Sequence, residues 1–424
     1  MNRYVTNKTV GQLHLFEAIG IELEYMIVDR DTLAIKPIAD ILLSEAAGTP
    51  GTGQVNRGAV SWSNELVLHL VELKTTNPAP TLIDLHEDFQ KEIASINQLL
   101  KQHNAMLLPS AMHPWMDPAR EMRIWPHEST VVYETYNRIF DCRGHGWANL
   151  QSMHINLPFS GDYEFEKLHA AVRVLLPILP GLAASSPIAD GKPTGFRDYR
   201  MEVYRTNSRS VPSVTGYVIP EQAFSEAEYE RKIFRKMYRD ILRHDPEMIL
   251  RDQWLNSRGA IARFDRGSIE IRVLDLQESP LADLAVARFV TDILKALVNE
   301  QFSSLEEQKS WNEKSLHKIL LYVVKEAEEA ILPVIYSRLF GFDNDGEPVS
   351  ANELLMYLYN ELYTHSHAES DPILSVLKKI LTCGTLATRI LRKWEKAGNA
   401  NERLSTYRVL AETLANGQLF HCDG

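Results

Sequence analysis

The stretch that most restricts the fold is Gly20-Ile21-Glu22-Leu23-Glu24-Tyr25, in which apolar residues alternate with two glutamates. A period of two is the mark of a β-strand with one dry face. It puts Ile21, Leu23 and Tyr25 on one side and both carboxylates on the other. Like charges held side by side repel unless something separates or neutralises them. A chain built around this strand needs an apolar layer on one side and a charge partner on the other.

Three more segments set polar groups on one face of a strand. Glu65 and Glu72 lie in NELVLHLVELKTT (64–76). His154 and Asn156 share a face in SMHINL (152–157), with Met153, Ile155 and Leu157 on the core side. Glu270 and Arg272 share a face in SIEIRVLD (268–275). Glu65 and Glu72 are an odd number of residues apart, so one regular strand would point them to opposite faces. They can line one site only if the strand breaks or bulges between them, or if the segment is helical. Taken singly, each piece has an ordinary reading: Glu-x-Glu as a solvated face, His154 as a core or surface histidine, Glu270 with Arg272 as a surface ion pair. Together, carboxylates with one imidazole and no thiolate suit Mg²⁺ or Mn²⁺ better than zinc. Two or more such ions would separate the glutamates and hold polyphosphate.

The rest of the chain predicts an α+β protein. Strands are expected over 15–30, 61–74, 106–109, 147–159 and 267–277. A helix capped by Thr81 should run to Leu100, and another should span about 163–180. From about residue 281 apolar residues recur at helical spacing almost throughout. The expectation is a catalytic part over 1–300 with a helical part, 301–424, packed on it. A net charge of −11 and the lack of a basic stripe exclude nucleic acid as a main partner. The three cysteines, Cys142, Cys383 and Cys422, are too scattered for a disulfide framework or a thiolate zinc site, which fits a reducing cytoplasm. The first twenty residues lack the apolar core of a signal peptide. The most apolar long stretch, 168–187, contains Arg173, Pro177 and Pro180, so a buried helix is expected there and not a membrane span. The reading is of a soluble cytoplasmic protein.

In order along residues 19–278, five segments resemble the glutamate–cysteine ligase family, ATP-dependent carboxylate–amine ligases of glutamine-synthetase-like fold. GIELE is similar to the family's opening strand, and ELVLHLVELKT to its segment with an acidic residue seven before a glutamate. MHINL resembles its His-x-Asn strand, ASSPIADGKPTGFRDYR (184–200) its Gly-Lys-Pro loop, and SIEIRVLD its Ile-Glu-x-Arg-x-x-Asp strand. Leu157 and Pro158 depart from the pattern, which has phenylalanine after the asparagine. The resemblance implies an antiparallel sheet forming an active-site funnel, surrounded by helices. It implies Glu22, Glu24, Glu65, Glu72, His154 and Glu270 as metal ligands, and Arg200 and Arg272 on the carboxylate or phosphate of the substrates. Lys192, Asn156 and Arg272 are the candidates for nucleotide contact.

The implied cofactors are ATP and Mg²⁺ or Mn²⁺, and the implied substrates are glutamate and an amine, cysteine by default. No residue stands out as the base that deprotonates the amine. A homo-oligomer is compatible with this reading; a nucleic-acid or membrane partner is not. The alternatives are a ligase using another amine, a guanidino-kinase-like phosphotransferase of the same fold, and a non-catalytic regulator that binds nucleotide or amino acid.

Overall fold

The alternating stretch forms β1 (Gly20–Asp29), an inner strand of an eight-stranded sheet in a computed structural model that describes residues 12–364 and 371–421. The N-terminal segment 1–11 and Cys422 lie outside the described residues. The other strands are β2 (Gln54–Asn56), β3 (Val60–Asn64), β4 (Leu70–Thr75), β5 (Ala105–Leu108), β6 (Ser152–Pro158), β9 (Ala260–Arg263) and β10 (Ser268–Asp275). Between β6 and β9, β7 (Ile188–Ala189) and β8 (Lys192–Pro193) form a separate small hairpin. The large sheet runs β2-β3-β4-β1-β6-β10-β9, with every neighbouring pair antiparallel. Met26 pairs with Leu70 of β4 and with Leu108 of β5, so β5 extends the sheet beside the second half of β1.

Ile21, Leu23 and Tyr25 are fully buried, as the alternation requires. Helices cover this side of the sheet. Helix Leu85–Lys101 buries Leu85, Phe89, Ile93, Ile96 and Leu100, a single stripe at helical spacing, and packs on β5. Helix Pro280–Val298 lies against helices Gly161–Leu175, Leu85–Lys101 and Pro372–Cys383. One contiguous apolar core runs from Ile19 to Phe420. Deleting a side chain such as Leu23 from it costs about 2–5 kcal/mol. Residues 301–421 are also fastened by charge: Arg389 Nη1 meets Glu278 Oε1 at 2.5 Å, both fully buried, and Lys309 Nζ lies 2.7 Å from Glu166. Among the described residues no helix is long and apolar enough to cross a membrane.

Several boundaries differ from the sequence reading, each for a local reason. The expected strand 61–74 is two strands, β3 and β4, paired as a hairpin with Ser63 opposite Glu72. Thr81 does not cap the following helix, which begins at Leu85; its hydroxyl accepts the Ile83 N–H at 3.3 Å and is used in a local turn. The strand expected from 147 begins at Ser152, because residues 145–148 form a helical turn and Asn149 clasps the backbone of His113 through both amide atoms. The helix expected to about 180 ends at Leu175, where Pro177 stops the α-helical ladder and a 3₁₀ turn follows. Its last turns are buried, with the Arg173 guanidinium donating to the carbonyls of Pro220 and Trp311.

Candidate active site

The polar face of the sheet is assembled by register. Across β1 and β4, Glu22 faces Lys74 and Glu24 faces Glu72; across β1 and β6, Glu22 faces His154; across β6 and β10, Asn156 faces Glu270. Directly opposed residues of an antiparallel pair share a face. Four adjacent strands therefore aim these carboxylates and one imidazole at one place.

His154 sits at the centre. Its Nδ1 is 2.9 Å from Glu22 and 3.8 Å from Glu270, and its Nε2 is 3.8 Å from Glu24. Ser152 donates its N–H and hydroxyl to Glu24 Oε2 at 2.8 and 2.9 Å. Asn156 donates to Glu22 Oε1 at 3.1 Å. Glu72 is held differently, with Lys74 Nζ and Ser63 Oγ each 2.6 Å from Oε1.

The electrostatics follow from that arrangement. Burial pushes the Glu22 carboxyl up, and the charges of Glu72 and Glu270 add to it against the His154 hydrogen bond. Burial, with Glu72 and Glu24 behind it, pushes Glu65 well above the ordinary carboxylate range. For Glu72 burial is outweighed by the charge and hydrogen bond of Lys74 and by Ser63, so it stays below that range. His154 is raised, because the Glu22 hydrogen bond and the Glu24 charge overcome burial.

These residues fit a divalent cation. Glu22, His154 and Glu270 each offer a ligand atom, all within 4.8 Å of one another. The set is rich in hard oxygen donors, and its carboxylates oppose one another's ionisation unless a cation shares the space.

Glu65 follows β3 directly and faces a cavity that Glu24 and His154 also line. The hairpin turn between β3 and β4 supplies the break that the odd spacing of Glu65 and Glu72 demanded, and each carboxylate feels the other's charge. Lys192 is exposed in β8 and lines neither cavity at the sheet.

The two arginines are both at the site. The Arg272 Nε lies 2.9 Å from Glu270 Oε1, without the alignment of a hydrogen bond. Arg200 is buried; its Nε meets Asp275 Oδ1 at 2.5 Å and its Nη2 donates to the Arg272 carbonyl at 3.2 Å.

Two cavities meet at this cluster. The larger, of about 520 Å³, is bordered by Gly20, Glu22, Lys74, Thr75, Asn156 and Arg266. A Cβ on Gly20 would come within 3.0 Å of Asn156, so the bare backbone keeps that mouth open. The smaller, of about 270 Å³, holds Glu24, Glu65, His154, Arg200 and Arg272 and is walled by aromatic rings.

Sequence reasoning passed over Lys74, which shares a face with Glu72 and could have been found by the same alternation. It also passed over Asp275 and the aromatic wall. In β10, Ile271 pairs with Ile155 but Leu274 with Met153, so one extra residue bulges out at 272–273. The bulge reverses the alternation and brings Asp275 opposite Ser152, on the site face. There Asp275 Oδ2 accepts from the Ser185 N–H and the Ser186 hydroxyl, and Oδ1 from Arg200. Tyr133, Tyr136, Trp147 and Trp254 come from loops and helices with no signal in strand alternation. Cys142 is buried, its thiol pushed up to about 12 by desolvation, and it takes no part in either cavity.

Comparison with known proteins agrees with the geometry. Residues 18–407 match the family model of glutamate–cysteine ligase family 2. An uncharacterised protein of Archaeoglobus fulgidus is 35% identical over 282 residues, 66% of this chain and 75% of that one. A Ruegeria pomeroyi protein provisionally named glutamate–cysteine ligase 2 is 28% identical over 216 residues, half of each chain. The crystal structure of glutamate–cysteine ligase from Francisella tularensis in complex with AMP superposes with a TM-score of 0.62, over 95% of this chain and 89% of that one, at 14% identity. The likeness to that structure is one of fold, a glutamine-synthetase-like antiparallel sheet ringed by helices. The chain belongs to glutamate–cysteine ligase family 2, and so to the ATP-dependent carboxylate–amine ligases.

Proposed function

We propose that this protein activates the γ-carboxylate of glutamate with Mg-ATP (or Mn-ATP) as a γ-glutamyl phosphate and transfers the γ-glutamyl group to an amine. The observation that carries this reading is the convergence of Glu22, Glu24, Glu72, His154 and Glu270 from four neighbouring strands between two cavities. A phosphoryl donor and a carboxylate acceptor are both anions, and a site joining them needs access from two sides with charge neutralisation between. The larger cavity suits the nucleotide, and the Francisella neighbour was solved with AMP. The smaller one suits glutamate and the amine.

Glu22, His154 and Glu270 would hold a divalent cation, with Glu24 and Glu72 beside them. When bound, it would neutralise phosphate oxygens that otherwise repel the incoming carboxylate. The residues of the chain do the rest. Arg272 and Arg200 present guanidinium forks to the smaller cavity; Arg200 is oriented by Asp275, leaving Nη1 for a substrate carboxylate or phosphoryl oxygen. Lys74 borders the larger cavity while paired with Glu72, which holds its charge in place near the phosphates. The packed aromatic wall keeps water from the acyl phosphate, which hydrolysis would waste. The family's cysteine substrate, a cytoplasmic setting and a catalytic part bounded near residue 300 belong to the same proposal.

The test is isotopic. With ¹⁸O in the glutamate γ-carboxylate, the phosphate released with ADP should carry the label. Release of pyrophosphate with label in AMP would refute the acyl-phosphate route, and ADP without free phosphate would indicate a kinase. Cys142→Ala should leave the transfer of label unchanged.

A further inference from the structure

A third cavity, of about 420 Å³, opens between a helical segment and the loop that follows it, and shares no lining residue with the two at the sheet. The segment begins as Glu226–Tyr229, widens to a π turn at Glu230–Phe234 and continues as Arg235–Ile241. Turns of this kind inside α-helices are frequent at functional sites, and Glu230, the first residue of this one, borders the cavity. Most of the surrounding charge cancels in pairs. Glu230 lies 3.6 Å from Arg235, and Arg239 donates Nε and Nη2 to Asp240 Oδ1 at 3.1 and 3.0 Å. Two lining groups of opposite sign are left over, Asp245 and Arg251.

Asp245 is 1% exposed. Its Oδ2 accepts the Leu250 N–H at 2.7 Å, but its Oδ1 meets no donor among the described residues. A buried acceptor left unpaired is costly, so a ligand that brings it a donor is favoured there. Arg251 carries its guanidinium over the Tyr238 ring, 5.7 Å from the centroid, with Nη1 3.5 Å from Met248 Sδ. It meets no carboxylate within ion-pair distance among the described residues. Tyr238 is itself stacked on Phe234 with centroids 5.9 Å apart, which steadies the ring beneath the cation. Leu242 and Met248, about half exposed, add apolar surface to the same cavity.

We infer that this cavity binds a small aliphatic zwitterion, an α-amino acid or a dipeptide, with its ammonium on Asp245 and its carboxylate on Arg251. The aliphatic side chain lies on Leu242 and Met248. A guanidinium fork suits a carboxylate, and an ammonium supplies the donor that Oδ1 lacks. The volume is that of a small-molecule site. A bare anion would leave Asp245 unmatched, and a bare cation would leave Arg251 so. The inference is independent of the reading of the catalytic site.

The experiment is calorimetric titration of the full chain, without ATP, with leucine and with leucyl-leucine. 4-Methylpentanoate, which lacks the ammonium, and 3-methylbutylamine, which lacks the carboxylate, are titrated beside them. The expected result is saturable binding of at least one zwitterion with Kd below about 1 mM, and binding of both analogues at least about tenfold weaker. The tighter of the two zwitterions tells the amino acid from the dipeptide. Arg251→Gln should weaken that binding about tenfold or more, while Arg272→Ala, in the catalytic cavity, should leave it unchanged. Binding lost in Arg272→Ala but kept in Arg251→Gln would place the ligand in the catalytic cavity and overturn the inference. Analogues that bind as tightly as the zwitterion, or no binding by about 10 mM, would overturn it as well. Asp245→Asn keeps an acceptor for the Leu250 N–H and turns an amide N–H towards the ammonium, so it too should weaken binding about tenfold. Arg251 is exposed, so its variant decides the matter even if Asp245→Asn does not fold.

Discussion

Replacing Asp275 by asparagine isolates the network that orients Arg200. Asp275 is fully buried and Arg200 is 1% exposed, so neither charge has water to fall back on. The substitution keeps the shape and removes the charge. Breaking a buried ion pair from one side costs about 3–5 kcal/mol, because the remaining charge is left uncompensated. Here a reserve partner lowers that figure. Asp198 is buried beside the pair, and burial followed by the Asp275 charge holds its carboxyl well above the usual range, while Arg200 pulls the other way. With Asp275 neutral, Asp198 can ionise and take over part of the compensation. The expected cost of Asp275→Asn is therefore near the lower end, about 3 kcal/mol. Asp198→Asn alone removes little charge, but the double variant loses both partners and should be destabilised by more than the two single costs added. Equilibrium urea unfolding, with refolding checked, measures all three. Arg200 faces the smaller cavity, so kcat/KM for glutamate should also fall further than that for ATP. Additive single and double variants, or an Asp275→Asn cost below about 1 kcal/mol, would refute the shared-charge reasoning.

Other variants test the rest of the site. Glu22→Gln and Glu270→Gln should each lower turnover by about two or more orders of magnitude with the fold intact; near-normal rates in both would remove them from the chemistry. Arg272→Lys should not rescue Arg272→Ala, since an ammonium cannot reproduce a planar two-point contact; recovery of most of the rate with lysine would reduce the residue to a general charge. A pH effect is expected far from the carboxylates. His113 is buried with Nε2 2.7 Å from the Leu33 carbonyl and Nδ1 accepting the Trp115 N–H at 3.2 Å, an arrangement suited to the neutral ring; burial takes its pKa down to about 4. The unfolded state binds the proton first as pH falls, so this contribution is complete above about pH 6.5 and is lost towards pH 4, on the order of 3 kcal/mol. Urea unfolding of wild type over that range should show the loss, and His113→Gln should flatten the dependence. An equal slope in both would exclude His113 as the cause.

The alternation in residues 20–25 was enough to place β1, its buried face and the outward aim of Glu22 and Glu24, because a strand's two faces are fixed by local geometry alone. The same period located His154 with Asn156 and Glu270 with Arg272, and spacing over residues 85–100 located the amphipathic helix. Which faces meet was beyond it. The order β4-β1-β6-β10 sets Glu72, Glu22, His154 and Glu270 side by side, and it depends on long-range pairing. The hairpin that brings Glu65 back toward Glu72 and the bulge that turns Asp275 onto the site face each shift the alternation by a residue or more, and local pattern cannot tell a bulge from a regular strand. The aromatic wall lay furthest from view, because Tyr133, Tyr136, Trp147 and Trp254 reach the cavity from separate segments whose approach is decided by packing. Sequence determined which residues could carry charge on a strand face; the tertiary structure decided which charges face one another and what lies between them.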